Sequence, residues 1–75
     1  MISYDLFTEG IVTVKVYDIL GNEVSSIVNE RQQSGEYQVG WDAAGFPSGI
    51  YFYRLDLKQN GKSRYSETKK LLLMK

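Results

Sequence analysis

Nine carboxylates and neither histidine nor cysteine are what this sequence offers for chemistry. Asp18 and Asp42 stand out among them, because each ends an alternating run beside a Gly-containing turn. Two carboxylates held close together in a cleft can do acid/base work. The competing role is turn capping, in which an Asp side chain accepts the backbone N–H two residues on. No insert is long enough to build a cleft around the pair, so capping is expected and no catalytic residue is assigned. Without His or Cys, the usual zinc, haem and iron–sulfur ligand sets are missing, as are Ser–His and Cys–His nucleophile pairs. No phosphate loop, dinucleotide fingerprint or Ca²⁺ loop occurs either, so no enzyme activity, metal or cofactor is expected. For nucleic acid, the nearest thing to a stacking platform is Tyr51-Phe52-Tyr53-Arg54 with Arg64-Tyr65. Tyr51 and Tyr53 share a face with Leu55 and Leu57, which makes them core residues with hydroxyls at the rim. Zero formal net charge argues further against phosphate binding.

The elements that position these residues have a period of two. Val12, Val14 and Val16 alternate with Thr13, Lys15 and Tyr17; Tyr37, Val39 and Trp41 alternate with Gln38 and Gly40; Tyr51, Tyr53, Leu55 and Leu57 alternate with Phe52, Arg54 and Asp56. Each reads as a half-buried strand. Weaker strands are expected over 2–7, 23–28 and 66–74, and no segment carries a helical apolar stripe. Turn residues separate the runs: Thr8-Glu9-Gly10, Leu20-Gly21-Asn22, Gln33-Ser34-Gly35, Phe46-Pro47-Ser48-Gly49 and Asn60-Gly61. The chain is therefore expected to be all-β, a sandwich or a small barrel of about six short strands. Trp41, at the end of its run, is expected to plug the core. Trp41-Asp42 also resembles the dipeptide of propeller repeats, but it occurs once.

Seventy-five residues make one domain, 1–75, with one modest core. No apolar run approaches the ~20 residues of a spanning helix, so the chain is not expected to be transmembrane. The first ten residues do not read as a signal peptide, which suggests an intracellular protein or a piece excised from a longer one. The neutral total conceals an asymmetry: residues 1–53 carry two Lys/Arg against seven Asp/Glu, and residues 54–75 carry seven against two. The simplest expectation is that the two halves neutralise each other across a sheet. The other is a basic end presented to a partner.

Asn60-Gly61 specifies a two-residue hairpin, because a type I′ turn needs φ > 0 at both central positions. Counting outward from Gln59 and Lys62 sets Arg54 opposite Glu67, an attractive pair, but Leu55 opposite Ser66 and Leu57 opposite Arg64. A bulge near residues 64–66 would restore the core face, since one extra residue exchanges the faces. In the tail, Leu71 and Leu73 face one side while Leu72 and Met74 face the other. Such a strand is buried on both faces, or closes a sheet as an edge guarded by Lys69, Lys70 and Lys75, or leaves an apolar row for recognition.

The order of the phrases narrows this further. Val14-Lys15-Val16-Tyr17-Asp18-Ile19-Leu20-Gly21-Asn22-Glu23-Val24 precedes Ser34-Gly35-Glu36-Tyr37-Gln38-Val39-Gly40-Trp41-Asp42. Then come Phe46-Pro47-Ser48-Gly49-Ile50-Tyr51-Phe52-Tyr53-Arg54-Leu55 and finally Glu67-Thr68-Lys69-Lys70-Leu71-Leu72-Leu73-Met74-Lys75. Over essentially all of residues 2–75 this resembles the type A C-terminal sorting domain of the type IX secretion system, a Bacteroidetes-type apparatus.

The resemblance implies an immunoglobulin-like antiparallel β-sandwich of six to seven short strands, without catalysis, that directs a cargo protein via the periplasm through the outer-membrane translocon. The product is secreted or held at the cell surface, and in many cargoes a sortase-like peptidase removes the domain. It also implies that Lys69, Lys70, Leu71, Leu72, Leu73, Met74 and Lys75 are the recognised residues. Tyr17, Asp18, Gly21, Gly35, Tyr37, Trp41, Asp42, Pro47, Gly49, Tyr51, Tyr53, Asn60 and Gly61 form the structural motif. The Asn-Pro-rich lead-in of that family is missing here. A shortened first strand would leave an edge open to strand addition or to dimer formation by exchange between copies. The immunoglobulin-like domain of flagellar hook-capping proteins shares Tyr17-Asp18, Gly21, Trp41-Asp42 and Gly49-Ile50-Tyr51, but tends to carry a longer Gly-rich insert where only residues 43–46 stand. An accessory structural domain of a larger surface protein or filament is the alternative reading.

Overall fold

In a computed structural model, which describes residues 2–74, six strands form two antiparallel sheets. In chain order they are β1 (Ile2–Leu6), β2 (Gly10–Tyr17), β3 (Glu23–Gln32), β4 (Gly35–Val39), β5 (Gly49–Gln59) and β6 (Lys62–Leu73). One sheet has the order β3-β2-β5-β6 and the other is the pair β1-β4. This is the expected all-β sandwich, with layers of unequal width.

The alternation in β2 and β5 makes the core. Val12, Val14 and Leu57 are fully buried, Leu55 nearly so, and β1 lays Ile2, Tyr4 and Leu6 over them. Val28 joins from β3, with Tyr37, Val39 and Tyr53 packed at the margin. β-Branched residues suit this role, because their single preferred rotamer loses little on a pleated surface. Tyr4 and Tyr37, opposite each other in the small sheet, stack with ring centroids 5.3 Å apart. The Tyr4 hydroxyl donates to Gln32 Oε1 at 2.7 Å, which ties the small sheet to β3. Burial raises the pKa of this phenol, against the opposing effect of its hydrogen bond.

Two further tyrosines latch loops. The Tyr51 hydroxyl donates to the Pro47 carbonyl and the Tyr37 hydroxyl to the Gln33 carbonyl, both at 2.6 Å and both four residues upstream. This is the device of the tyrosine corner in immunoglobulin-like sandwiches. Trp41 lies beyond β4, half-buried, rather than plugging the core. Its ring packs against Phe46 and Tyr51 with centroids 5.3 and 5.1 Å away, and its indole N–H is buried without a protein acceptor. It belongs to a satellite cluster that folds the loop before β5 onto the sheet end.

The hairpin is as the dipeptide specifies: Asn60 and Gly61 have φ of 53° and 78°, and Gln59 pairs with Lys62. The register then skips Arg64, setting Leu57 opposite Tyr65 and Leu55 opposite Glu67. The expected bulge is present. The attractive Arg54–Glu67 pair is not, because the bulge moves Arg54 opposite Thr68. Arg54 instead bonds Asp56 at 3.1 Å, and Glu67 bonds Lys69 at 2.9 Å.

β3 runs four residues beyond its expected end at 28, since Asn29 to Gln32 pair with Thr13 to Gly10. At Gly10, where β2 begins, the chain passes tightly against the Leu57–Lys58 segment of β5. A Cβ there would lie 2.4 Å from the Lys58 carbonyl oxygen and 2.9 Å from Leu57 Cδ1, so only glycine fits without movement.

Candidate functional site

Along β6 the tail residues fall on alternate faces. Leu71 and Leu73 turn inward opposite Tyr51 and Gly49 and are half-buried. Leu72 and Met74 turn outward and are 60% and 78% exposed. Lys69, inward opposite Tyr53, is held by Glu67; that hydrogen bond raises the lysine above its ordinary value. Lys70 is outward opposite Phe52 and has no ion pair among the described residues. Lys75, the seventh expected recognition residue, lies outside the described residues. Of the three expectations for the tail, burial on both faces is therefore excluded: the strand is an edge, and one apolar row is exposed.

The structural-motif residues build what surrounds that row. Tyr17 lies opposite Phe52 on the outer face of the four-stranded sheet. The turn after it is organised by Asp18, whose Oδ1 accepts from Leu20 N and Asn22 N, each at 2.9 Å, while Gly21 N donates to the Asp18 carbonyl. Those bonds lower the Asp18 pKa, the Asn22 backbone N–H contributing most. Asp42 caps its own loop, accepting from Ala44 N at 3.2 Å. Capping is what both carboxylates do. Among the described residues, no group of three or more Asp or Glu is placed to hold a metal ion.

Folding the Asp18 turn this way pushes Ile19 and Leu20 outward, 69% and 83% exposed. With Pro47, Ile50 and Tyr51 they line a shallow apolar cleft at the end of the sheet where β6 finishes. Ile50 pairs directly with Leu72, so the cleft is continuous with the outward tail row. The tail was legible as a candidate; Ile19, Leu20 and Ile50 were not assigned to it. The available signal was a pair of large aliphatic residues inside a turn, where polar residues are the rule.

The charge asymmetry survives folding. All four ion pairs among the described residues lie within one half of the chain: Lys15–Glu23 and Arg31–Glu9 in the first, Arg54–Asp56 and Lys69–Glu67 in the second. The halves do not neutralise each other by pairing, as the simplest expectation had it. β2 in fact sets Lys15 opposite Arg54. Lys58, Lys62, Arg64 and Lys70, all on the β5–β6 hairpin, are left without a carboxylate among the described residues.

Comparison with the curated proteins and with solved structures finds no match. A family model described as a secretion system C-terminal sorting domain matches residues 1–73, which is nearly the whole chain. An exposed apolar row on a basic edge strand is a surface suited to being gripped. The chain belongs to the secretion system C-terminal sorting domains, the type IX family whose phrases it resembles.

Proposed function

We propose that this chain is a non-catalytic address that directs a cargo protein through the type IX outer-membrane translocon, and that residues 69–75 are the part the machinery docks. Membership of the family supports the first half, since such a domain marks a protein for export across the outer membrane to the cell surface or the medium. The observation that carries the second is the asymmetry of β6: Leu71 and Leu73 are tucked in while Leu72 and Met74 are left in water. Exposed apolar rows of this kind typically serve contacts rather than stability. The sandwich holds the strip in register, and cleavage of the cargo from its address would be the work of a surface peptidase.

The test is export of a periplasmic reporter fused to residues 2–75 in a host with the type IX apparatus. The fusion is expected in the medium or at the surface, and deletion of residues 71–75 is expected to leave it in the periplasm. Export that survives the deletion refutes the role given to the tail. Removal that harms cargo activity or assembly but not its location would favour the accessory-domain reading.

A further inference from the structure

We infer that the docking surface extends well beyond the tail, and that its occupant is an extended, acidic-apolar segment of a protein partner that adds as a strand to the free edge of β6. This rests on the reading of the domain as a sorting signal and specifies the chemistry of its partner. β6 ends the order β3-β2-β5-β6, so it has one paired neighbour and one open side along all twelve residues. An open edge offers a row of backbone donors and acceptors that an incoming strand can satisfy.

What the strand should carry follows from two rows that cross the outer face and end at that edge. The first is Tyr17–Phe52–Lys70, which brings to the rim an ammonium that has no ion pair among the described residues. The second is Ile50–Leu72, extended on its inner side by Ile19 and Leu20 around the cleft. Residues two apart on a strand share a face. A carboxylate opposite Lys70 and an apolar side chain opposite Leu72 therefore belong to one face of the partner strand. The hairpin end of the same edge adds Lys62 and Arg64, again without carboxylate partners among the described residues. The edge thus repels cationic strands, including another copy of itself, and favours acidic ones.

Four substitutions in the reporter fusion separate the possibilities, with thermal melts confirming that each variant folds. Leu20→Lys and Lys70→Glu are each expected to cut export at least tenfold, while Lys70→Arg and Ile11→Lys are expected to keep it. Leu20 is 83% exposed and tolerates lysine in the fold; Ile11 lies on the same face at the far end of β2. In parallel, the isolated chain is titrated with the peptide Thr-Glu-Thr-Val-Thr-Val, acetylated and amidated, and with its backbone N-methylated form. Amide shifts confined to 66–74 and the Ile19–Leu20 turn, lost on N-methylation and weakened by salt, are the expected result. Full export by Leu20→Lys or Lys70→Glu, no binding at millimolar peptide, or equal binding of the N-methylated form overturns the inference. If deletion of residues 71–75 also leaves export intact, the sorting role of the tail falls with it; if only the deletion blocks export, the tail acts alone.

Discussion

Replacing Gly10 by alanine tests whether the close approach of β2 to β5 is as tight as the geometry indicates. The added methyl would sit 2.4 Å from a backbone oxygen, that of Lys58, and 2.9 Å from Leu57 Cδ1. The leucine methyl can rotate away, but the carbonyl belongs to a paired strand and can yield only if β5 shifts. Overpacking of this sort costs ~1–3 kcal/mol. Against it, alanine restricts the unfolded chain and returns ~0.4–1 kcal/mol. The net expectation is a loss of roughly 1–2 kcal/mol, a fall in Tm of about 4–15 °C for a domain of this size. Gly45→Ala is the matched control, since its Cβ would meet nothing within 4 Å, so Tm should stay level or rise slightly. Thermal unfolding followed by circular dichroism reads both. An unchanged or raised Tm for Gly10→Ala would refute the reasoning and show that the strands are free to separate.

Tyr51→Phe removes the hydroxyl that holds the Pro47 carbonyl and should cost ~1 kcal/mol, measured as a lower urea midpoint with unchanged slope. Leu57→Ala, at a fully buried position, should cost ~2–5 kcal/mol, enough to leave a domain this small largely unfolded by near-ultraviolet circular dichroism at 37 °C. Asp18 has its pKa lowered in the folded state, so the stability it contributes is complete above the unfolded value and fades as pH falls through the folded one. Asp18→Asn, which keeps an oxygen for Leu20 N and Asn22 N, should flatten the drop in urea midpoint between pH 6 and pH 3; an equally steep drop would show that another carboxylate is responsible.

The parts of the fold that the sequence made legible are those where local chemistry and burial agree. Val12, Val14, Leu55 and Leu57 alternate because one face is dry, and Asn60-Gly61 fixes its turn through backbone conformation alone. Even the bulge at Arg64 was readable, because without it a leucine row would face a polar one. The second half of β3 was not. Asn29 to Gln32 have weak strand preference and are held by the ladder to β2, a tertiary effect. The charge balance misled for a different reason: the halves do meet along the β2–β5 ladder, but there Lys15 faces Arg54, Thr13 faces Asp56 and Ile11 faces Lys58, so no acid of one half lies opposite a base of the other. The tail was legible from its double apolar row, but the cleft beside it was not. Leu20 already stands in a turn phrase beside Gly21, but the outward setting of Ile19 and Leu20 follows only from the fold, in which the Asp18 carboxylate gathers the backbone N–H groups of Leu20 and Asn22 and turns the side chains out.

Having a single paired neighbour also has a mechanical meaning for β6. A pull on residue 74 directed across the sheet loads the ladder one rung at a time, beginning at Gly49 with Leu73 and travelling toward the Asn60-Gly61 bend. Peeling of this kind meets far less resistance than sliding two strands past each other, and it leaves the β1, β2 and β5 interior dry until the unzipping reaches Leu55. Amide exchange should accordingly be fastest over 69–73, slow progressively toward the bend, and be slowest in Val12 and Val14. A domain arranged in this way has a detachable handle on an otherwise intact body.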